Sequence, residues 1–277
     1  MKRSFFASPY AVWMVLFTIF PIIFVAYYAV TGTNAETGEV ILTWESISRC
    51  FEATYMKILW RSLKLALECT VICLIIGYPT AYFLASKEFS KFKTLFVLIL
   101  LPMWMNFLLR TYATMSLLEN RGIINTLLTK MGFERMELIG TEGAVLFGMV
   151  YNYLPFMVLP IHTCLKKMDQ RVVEAAQDLG ANPVRVFLRV TLPLSTSGII
   201  SGITMVFMPS VTTFAISKLL GSGNFMLLGD VIEKQFMEMN AWSFGSALSM
   251  FMMVLILISI GFLNKLDRNT AERSNNW

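Results

Sequence analysis

Six long apolar runs, separated by short polar ones, organise this chain. The first extends from Pro9 to Val30. At about 1.5 Å of rise per residue it is long enough to cross about 30 Å of hydrocarbon as a helix. Pro21 near its middle predicts a kink. A polar, acidic segment from Thr31 to Trp60 follows, with Glu36, Glu39, Glu45 and Glu52. Further spans are predicted at 62–85, 94–118, 143–165, 196–216 and 242–263, and a polar tail begins at Lys265. Pro102 and Asn106 fall inside the third span. Pro155 and Pro160 are expected to interrupt the fourth, and Pro209 to break the fifth.

The polar interruption from Asp169 to Pro193 has its own pattern. Val172, Val173, Ala176 and Leu179 recur at helical spacing among Gln170, Arg171, Glu174 and Asp178. Gly180 is placed to end that helix in a left-handed cap. Asn182 and Pro183 read as the N-cap and first residue of a second short helix carrying Val184, Phe187 and Leu188, which Leu192-Pro193 should stop.

Composition turns this pattern into a fold class. Hydrophobic residues make up 56% of the 277, against 15% charged, and the mean hydropathy is +0.62. Such a chain is mostly dissolved in lipid rather than built around one soluble core. The net charge of +5 then reflects cytoplasmic loops rather than nucleic acid. Lys2 and Arg3, the turn of Lys87, Lys91 and Lys93, and Lys166-Lys167 place both termini and the Asp169–Pro193 loop on the inside. The expectation is an all-α integral membrane protein with six transmembrane helices and both termini cytoplasmic, retained in the membrane by its first span. Cys50, Cys69, Cys73 and Cys164 have neither redox nor zinc-ligand spacing and read as packing residues.

Polar groups inside the spans are candidates for function. Ser210, Thr212 and Thr213 after Pro209, and Tyr151, Asn152 and Tyr153 before Pro155, suggest polar backbone beside a solute path. Gly198 and Gly202, four apart, predict a close approach between helices. Lys64 and Glu68 are spaced to pair at i,i+4, with Arg61 on the same face; Glu68 could instead face a water-filled path. Arg110 is expected to snorkel at the outer interface, and His162, the single histidine, to sit at the inner one. There is no G-x-x-x-x-G-K-[ST] loop, no HExxH and no metal-ligand cluster, so the chain is expected neither to bind ATP nor to act as an enzyme.

Glu174-Ala175-Ala176, three residues, Gly180, nine residues, then Val190-Thr191-Leu192-Pro193 resembles the EAA motif of ABC importer permeases, E-A-A-x3-G-x9-I-x-L-P, with Val190 in place of Ile. The runs Gly77–Ala85, Leu101–Ala113, Tyr151–Ile161, Glu174–Ala181 and Leu227–Gly245 look like the spermidine/putrescine members of that family. The resemblance implies a type I, MetI-like fold in a bacterial plasma or inner membrane. Residues 1–60 would form a first helix and external segment, 61–266 the transporter core with a coupling loop at 166–195, and 267–277 a tail. It implies that Glu174, Ala175, Ala176, Asp178, Leu179, Gly180, Leu192 and Pro193 couple the chain to an ATPase. It also implies a heterodimer with a second, PotC-like permease, a dimer of ATPase subunits that hold ATP and magnesium, and an external polyamine-binding protein. This chain would bind no cofactor. For a polycation, aromatic rings and a carboxylate are the fitting groups: Glu68, Trp104, Tyr112, Tyr151 and Tyr153, with Asn106, Asn152, Ser210, Thr212 and Thr213 beside them. An importer for thiamine, iron or an anion, or a self-contained secondary transporter, are the alternatives.

Overall fold

The computed structural model describes residues 10, 12–33, 40–86, 93–224 and 226–275. Lys2, Arg3, Glu36, Glu39, Lys87 and Lys91 lie outside the described residues. The chain is mostly helical and divides into two compact units, Met1–Trp60 with Leu228–Leu257, and Arg61–Leu227 with Ile258–Trp277.

In the first unit a π-helical turn, Val15–Ile19, leads into α1 (Phe20–Ala29). The π turn is the local answer to Pro21. Proline cannot donate to the α-ladder, and a wider turn before it accommodates the ring without ending the helix; the Phe20 N–H reaches back to the Val15 carbonyl. Two three-residue strands, β1 (Thr31–Thr33) and β2 (Val40–Leu42), then pair antiparallel. No residue pattern announces this strand pair, because three residues cannot display a period of two. A short α2 (Glu45–Arg49) precedes α3 (Ala53–Ala85), which starts nine residues before the expected Ser62. Aromatic contacts hold α1, α2 and the start of α3 to α13 (Leu228–Met237) and α14 (Trp242–Asn275). Tyr55 meets Phe244 edge-on at 4.9 Å, Phe51 meets Phe251 at 5.3 Å, and Phe236 meets Trp242 at 5.5 Å. As far as Asn275 the polar tail continues α14 rather than leaving it.

The second unit is built around α7 (Glu142–Lys167). Thr141 caps its start, accepting from the Ala144 N–H at 3.1 Å. Val145, Met149, Met157, Val158 and Ile161 are completely buried. Contrary to expectation, Pro155 and Pro160 do not break it. The stretch between them is covered by α11 (Thr196–Thr212), whose Gly198 and Gly202 permit backbone contact. A Cβ on Gly198 would stand 2.6 Å from the Cys164 Cβ and 3.1 Å from the Pro160 carbonyl oxygen. A Cβ on Gly202 would stand 2.7 Å from the Met157 Sδ. The predicted close approach is therefore present, and packing on both sides carries α7 through its prolines. In α11 the break also misses its proline: Pro209 stays helical, and the chain turns extended at Thr213 before α12 (Ala215–Leu220).

The third span divides into α4 (Lys93–Trp104) and α5 (Phe107–Leu118), followed by α6 (Ile123–Lys130). The axis turns by 105° at Met105–Asn106. Asn106 makes this turn stable by capping α5, its Oδ1 accepting from the Leu108 and Leu109 N–H groups at 2.9 and 3.3 Å.

Among the described residues, Val12–Ala29, Glu142–Lys167 and Trp242–Lys265 are individually long and apolar enough to cross a membrane, and two bent helix pairs bring the number to five.

Candidate functional site

The polar loop after α7 folds as two capped helices. Asp169 opens α8 (Gln170–Asp178), its Oδ1 accepting from the Arg171 N–H at 3.0 Å. Gly180 closes it at φ +80°, in the left-handed region. The Ala181 N–H reaches the Ala176 carbonyl at 3.2 Å and the Gly180 N–H the Gln177 carbonyl at 2.9 Å, the paired bonds of a Schellman cap. Asn182 then caps α9 (Pro183–Val186), its Oδ1 accepting from the Arg185 N–H at 2.8 Å. Both caps stand where their residue types predicted.

The second helix does not stop at Leu192-Pro193. A π turn over Phe187–Thr191 carries the chain into α10 (Leu192–Leu194), as happens before Pro21. The stop comes at Ser195, where the axis bends by 63° into α11. Ser195 is buried, and its hydroxyl meets that of Tyr78 on α3 at 2.9 Å. The bend is thus tied to a neighbouring helix.

Glu174, Ala175, Asp178 and Gly180 are exposed and Ala176 is half-buried, while Leu179, Val184 and Leu188 show 89%, 65% and 54% of their surface. Leucine and valine gain nothing from water, so this arrangement leaves an apolar patch exposed on the loop. Behind α8 lies a cavity of about 420 Å³ lined in part by Tyr82, Ser86, Leu165, Val173 and Glu174.

The residues expected along a solute path separate into two groups. Asn152, Tyr153, Ser210 and Thr213 are buried. The Tyr153 hydroxyl donates to the Pro209 carbonyl at 3.3 Å. The Ser210 hydroxyl donates to the Val206 carbonyl at 2.7 Å and meets the Cys69 Sγ at 3.7 Å. The structure brings these groups together where α3, α7 and α11 meet. Trp104, Tyr112, Tyr151 and Thr212 instead stay exposed, as does Asn106 beside them in sequence. Glu68 pairs with Lys64 at 3.7 Å as its spacing predicted; Lys64 and Arg61 also reach Glu142 at 3.7 and 3.5 Å.

Arg110 departs from its expected role. It does not snorkel: it is buried, and among the described residues its Nε and Nη1 have no hydrogen-bond partner. The bend at Asn106 turns α5 away from the straight course that placed Arg110 at the interface. His162 is buried too, stacked on Phe96 at 4.1 Å.

The sequence profile described as "Binding-protein-dependent transport system inner membrane component" matches residues 4–272. The chain belongs to this family. The permease is therefore a multi-pass transport subunit of the inner membrane and not an enzyme. It is 38% identical over 254 residues to the spermidine/putrescine permease PotB of Haemophilus influenzae, covering 90% of this chain and 88% of the relative. To PotB of Escherichia coli it is 34% identical over 247 residues, covering 88% and 90%. Among solved structures it resembles a chain of a bacterial ABC transporter for alginate, with a TM-score of 0.77, 17% identity and coverage of 97% and 96%. A chain of the MetNI methionine ABC transporter gives 0.60 at 16% identity, covering 78% of the permease and 95% of that chain. These likenesses establish the fold of an ABC importer permease.

What sequence reasoning missed in the permease is the part Cys69 plays in the polar cluster. Its spacing to Cys73, one helical turn, placed both thiols on one face; the partner, Ser210, is 141 residues away.

Proposed function

We propose that the permease is one membrane-spanning half of an ATP-driven importer of polyamines, spermidine and putrescine. The observation that carries this reading is the likeness, over nearly the whole chain, to permeases named for those two solutes. In this reading six spans cross the membrane with both termini inside. The sixth is α3, whose 33 residues give about 50 Å of helix. Residues 1–60 supply the first span and external segment, 61–266 the transporter core, and 267–277 a tail. A second, PotC-like permease completes the path, two ATPase subunits hold ATP and magnesium, and an external binding protein delivers the polyamine. The permease itself binds no cofactor.

Glu174, Ala175, Ala176, Asp178, Leu179, Gly180, Leu192 and Pro193 form the seat of the ATPase. The support is physical: a loop closed by two caps and joined by a continuous helix to the Ser195 bend transmits a push rather than absorbing it. The solute path uses the exposed Trp104, Tyr112, Tyr151 and Thr212, with Glu68 at its outer end, because rings and a carboxylate attract ammonium groups. Asn106, Asn152, Tyr153, Ser210 and Thr213 hold the helices that carry them.

Co-expression of the permease with its ATPase, sister permease and binding protein is expected to give ATP-dependent uptake of radiolabelled spermidine or putrescine. Uptake of a different solute, with both polyamines ignored, would refute the specificity.

A further inference from the structure

A cavity of about 480 Å³ opens in the first unit, at the Tyr28 end of α1 and the Trp242 end of α14. Its walls include Ser46 and Arg49 of α2 and the first turn of α14, residues 242–244. Three features give it one chemistry. The first is the start of α14. Ala241 accepts the first helical bond, from the Gly245 N–H at 2.9 Å, yet its methyl side chain cannot cap the N–H groups that follow. Among the described residues none accepts from them, so the positive end of a long helix faces the cavity. The second is Arg49. Its guanidinium lies 4.4 Å from the centre of the Phe244 ring, a cation–π contact that holds it over the helix start. The Glu52 carboxylate approaches only its Nε, at 4.0 Å. The third is Ser46, which is 8% exposed and whose hydroxyl has no partner among the described residues. No carboxylate lines the cavity among the described residues.

A guanidinium, uncapped helical N–H groups and a buried hydroxyl together make a receptor for an oxyanion. The place of the cavity says which one. Val12–Ala29 and Trp242–Lys265 are apolar enough to cross a membrane, so Tyr28 and Trp242 mark the level at which hydrocarbon gives way to headgroups. Along the same helices Ile23, Phe24, Val254 and Leu257 remain exposed, where acyl chains would lie. We propose that this cavity binds a phosphate oxyanion, supplied by the headgroup of a membrane phospholipid, between Arg49, Ser46 and the first turn of α14.

The test uses the full chain in detergent, followed by native mass spectrometry and thermal unfolding. The probes are dioleoylphosphatidylglycerol, dioleoylglycerol with the same acyl chains but no phosphate, and inorganic phosphate. The expected result is retained adducts and a raised Tm with phosphatidylglycerol alone of the two lipids, with inorganic phosphate competing for the adduct. Arg49→Gln is expected to weaken binding by about tenfold and Ser46→Ala by less, since charge-assisted bonds are the stronger ones. Equal retention of the two lipids by the wild-type chain overturns the proposal without recourse to any variant. So does phosphatidylglycerol binding that neither substitution changes. Binding of inorganic phosphate with no preference between the lipids overturns the headgroup assignment.

Discussion

Gly202 of α11 lies against Met157 of α7 with no room for a side chain, a Cβ there standing 2.7 Å from the Met157 Sδ. Met157 is completely buried, and a Cβ on Gly77 of α3 would likewise stand 2.9 Å from its Cγ. One thioether is thus held between glycines of two neighbouring helices. One turn from Gly202, Gly198 meets firmer atoms: a Cβ there would be 3.1 Å from the Pro160 carbonyl oxygen and 3.2 Å from the Ile161 Cα. The expected order of damage follows. Gly202→Ala meets first the far end of a flexible side chain, with the Met157 carbonyl oxygen next at 3.2 Å, whereas Gly198→Ala meets first the Cys164 Cβ, fixed to its backbone, at 2.6 Å. Overpacking costs about 1–3 kcal/mol, and Gly198→Ala is expected at the upper end. Unfolding of the two variants in detergent, followed by circular dichroism, checks the order; a larger loss for Gly202→Ala contradicts it.

Gly180 tests the coupling loop in a different way. At φ +80° a Cβ would meet nothing within 4 Å, so any cost of substitution is conformational. A β-branched residue in the left-handed region costs about 1–2 kcal/mol or more, and asparagine less. Gly180→Val is expected to abolish uptake while the permease still inserts, and Gly180→Asn to keep a substantial part. Uptake by the assembled transporter, with membrane abundance as control, measures both; normal transport by Gly180→Val defeats the coupling role.

Arg110 is a buried charge with two nitrogens that find no hydrogen-bond partner among the described residues. Replacing such a group by an apolar residue of similar length is often neutral or stabilising by about 1–4 kcal/mol. Arg110→Met is expected to leave the thermal stability of the isolated permease unchanged or higher. A marked fall in Tm would show that the guanidinium supports the fold.

Burial pushes the Cys50 thiol up from its ordinary range, against the opposing pull of a backbone hydrogen bond and of Arg49. The thiolate is the reactive form, so Cys50 in the folded chain is expected to resist maleimide at neutral pH. Its labelling should rise only at pH above the ordinary cysteine value of about 8.5, and should become fast at any such pH once the chain unfolds. Rapid labelling of Cys50 at pH 7 in the folded permease contradicts this.

The sequence was most legible where one residue type meets one local geometry. Gly180, Asn182 and Pro183 could be placed because a left-handed cap, an N-cap and a first helical position each select a side chain. Gly198 and Gly202 were legible for the same reason, since only their lack of a side chain lets two helices meet. Prolines misled. Pro155, Pro160 and Pro209 announce a lost hydrogen bond, but whether the helix breaks depends on what packs beside it, and here α7 and α11 brace each other. The break in the third span belongs to Asn106, whose capping bonds cannot be told in advance from a polar residue along a path. Arg110 differs from its expected place as a consequence, since only a straight helix would carry it to the outer interface.

The π turn at Phe187–Thr191 has a mechanical consequence. A π turn holds one residue more than the α turn it replaces, and one residue is worth about 100° of rotation around a helix axis. The direction in which α8 and α9 face, seen from α11, therefore depends on a single residue stored before Pro193. Deleting one residue there would not shorten the connection noticeably. It would swing the apolar patch of Leu179 and Val184 more than a quarter of the way around, so the aim of this loop is set by a count and its reach by a length.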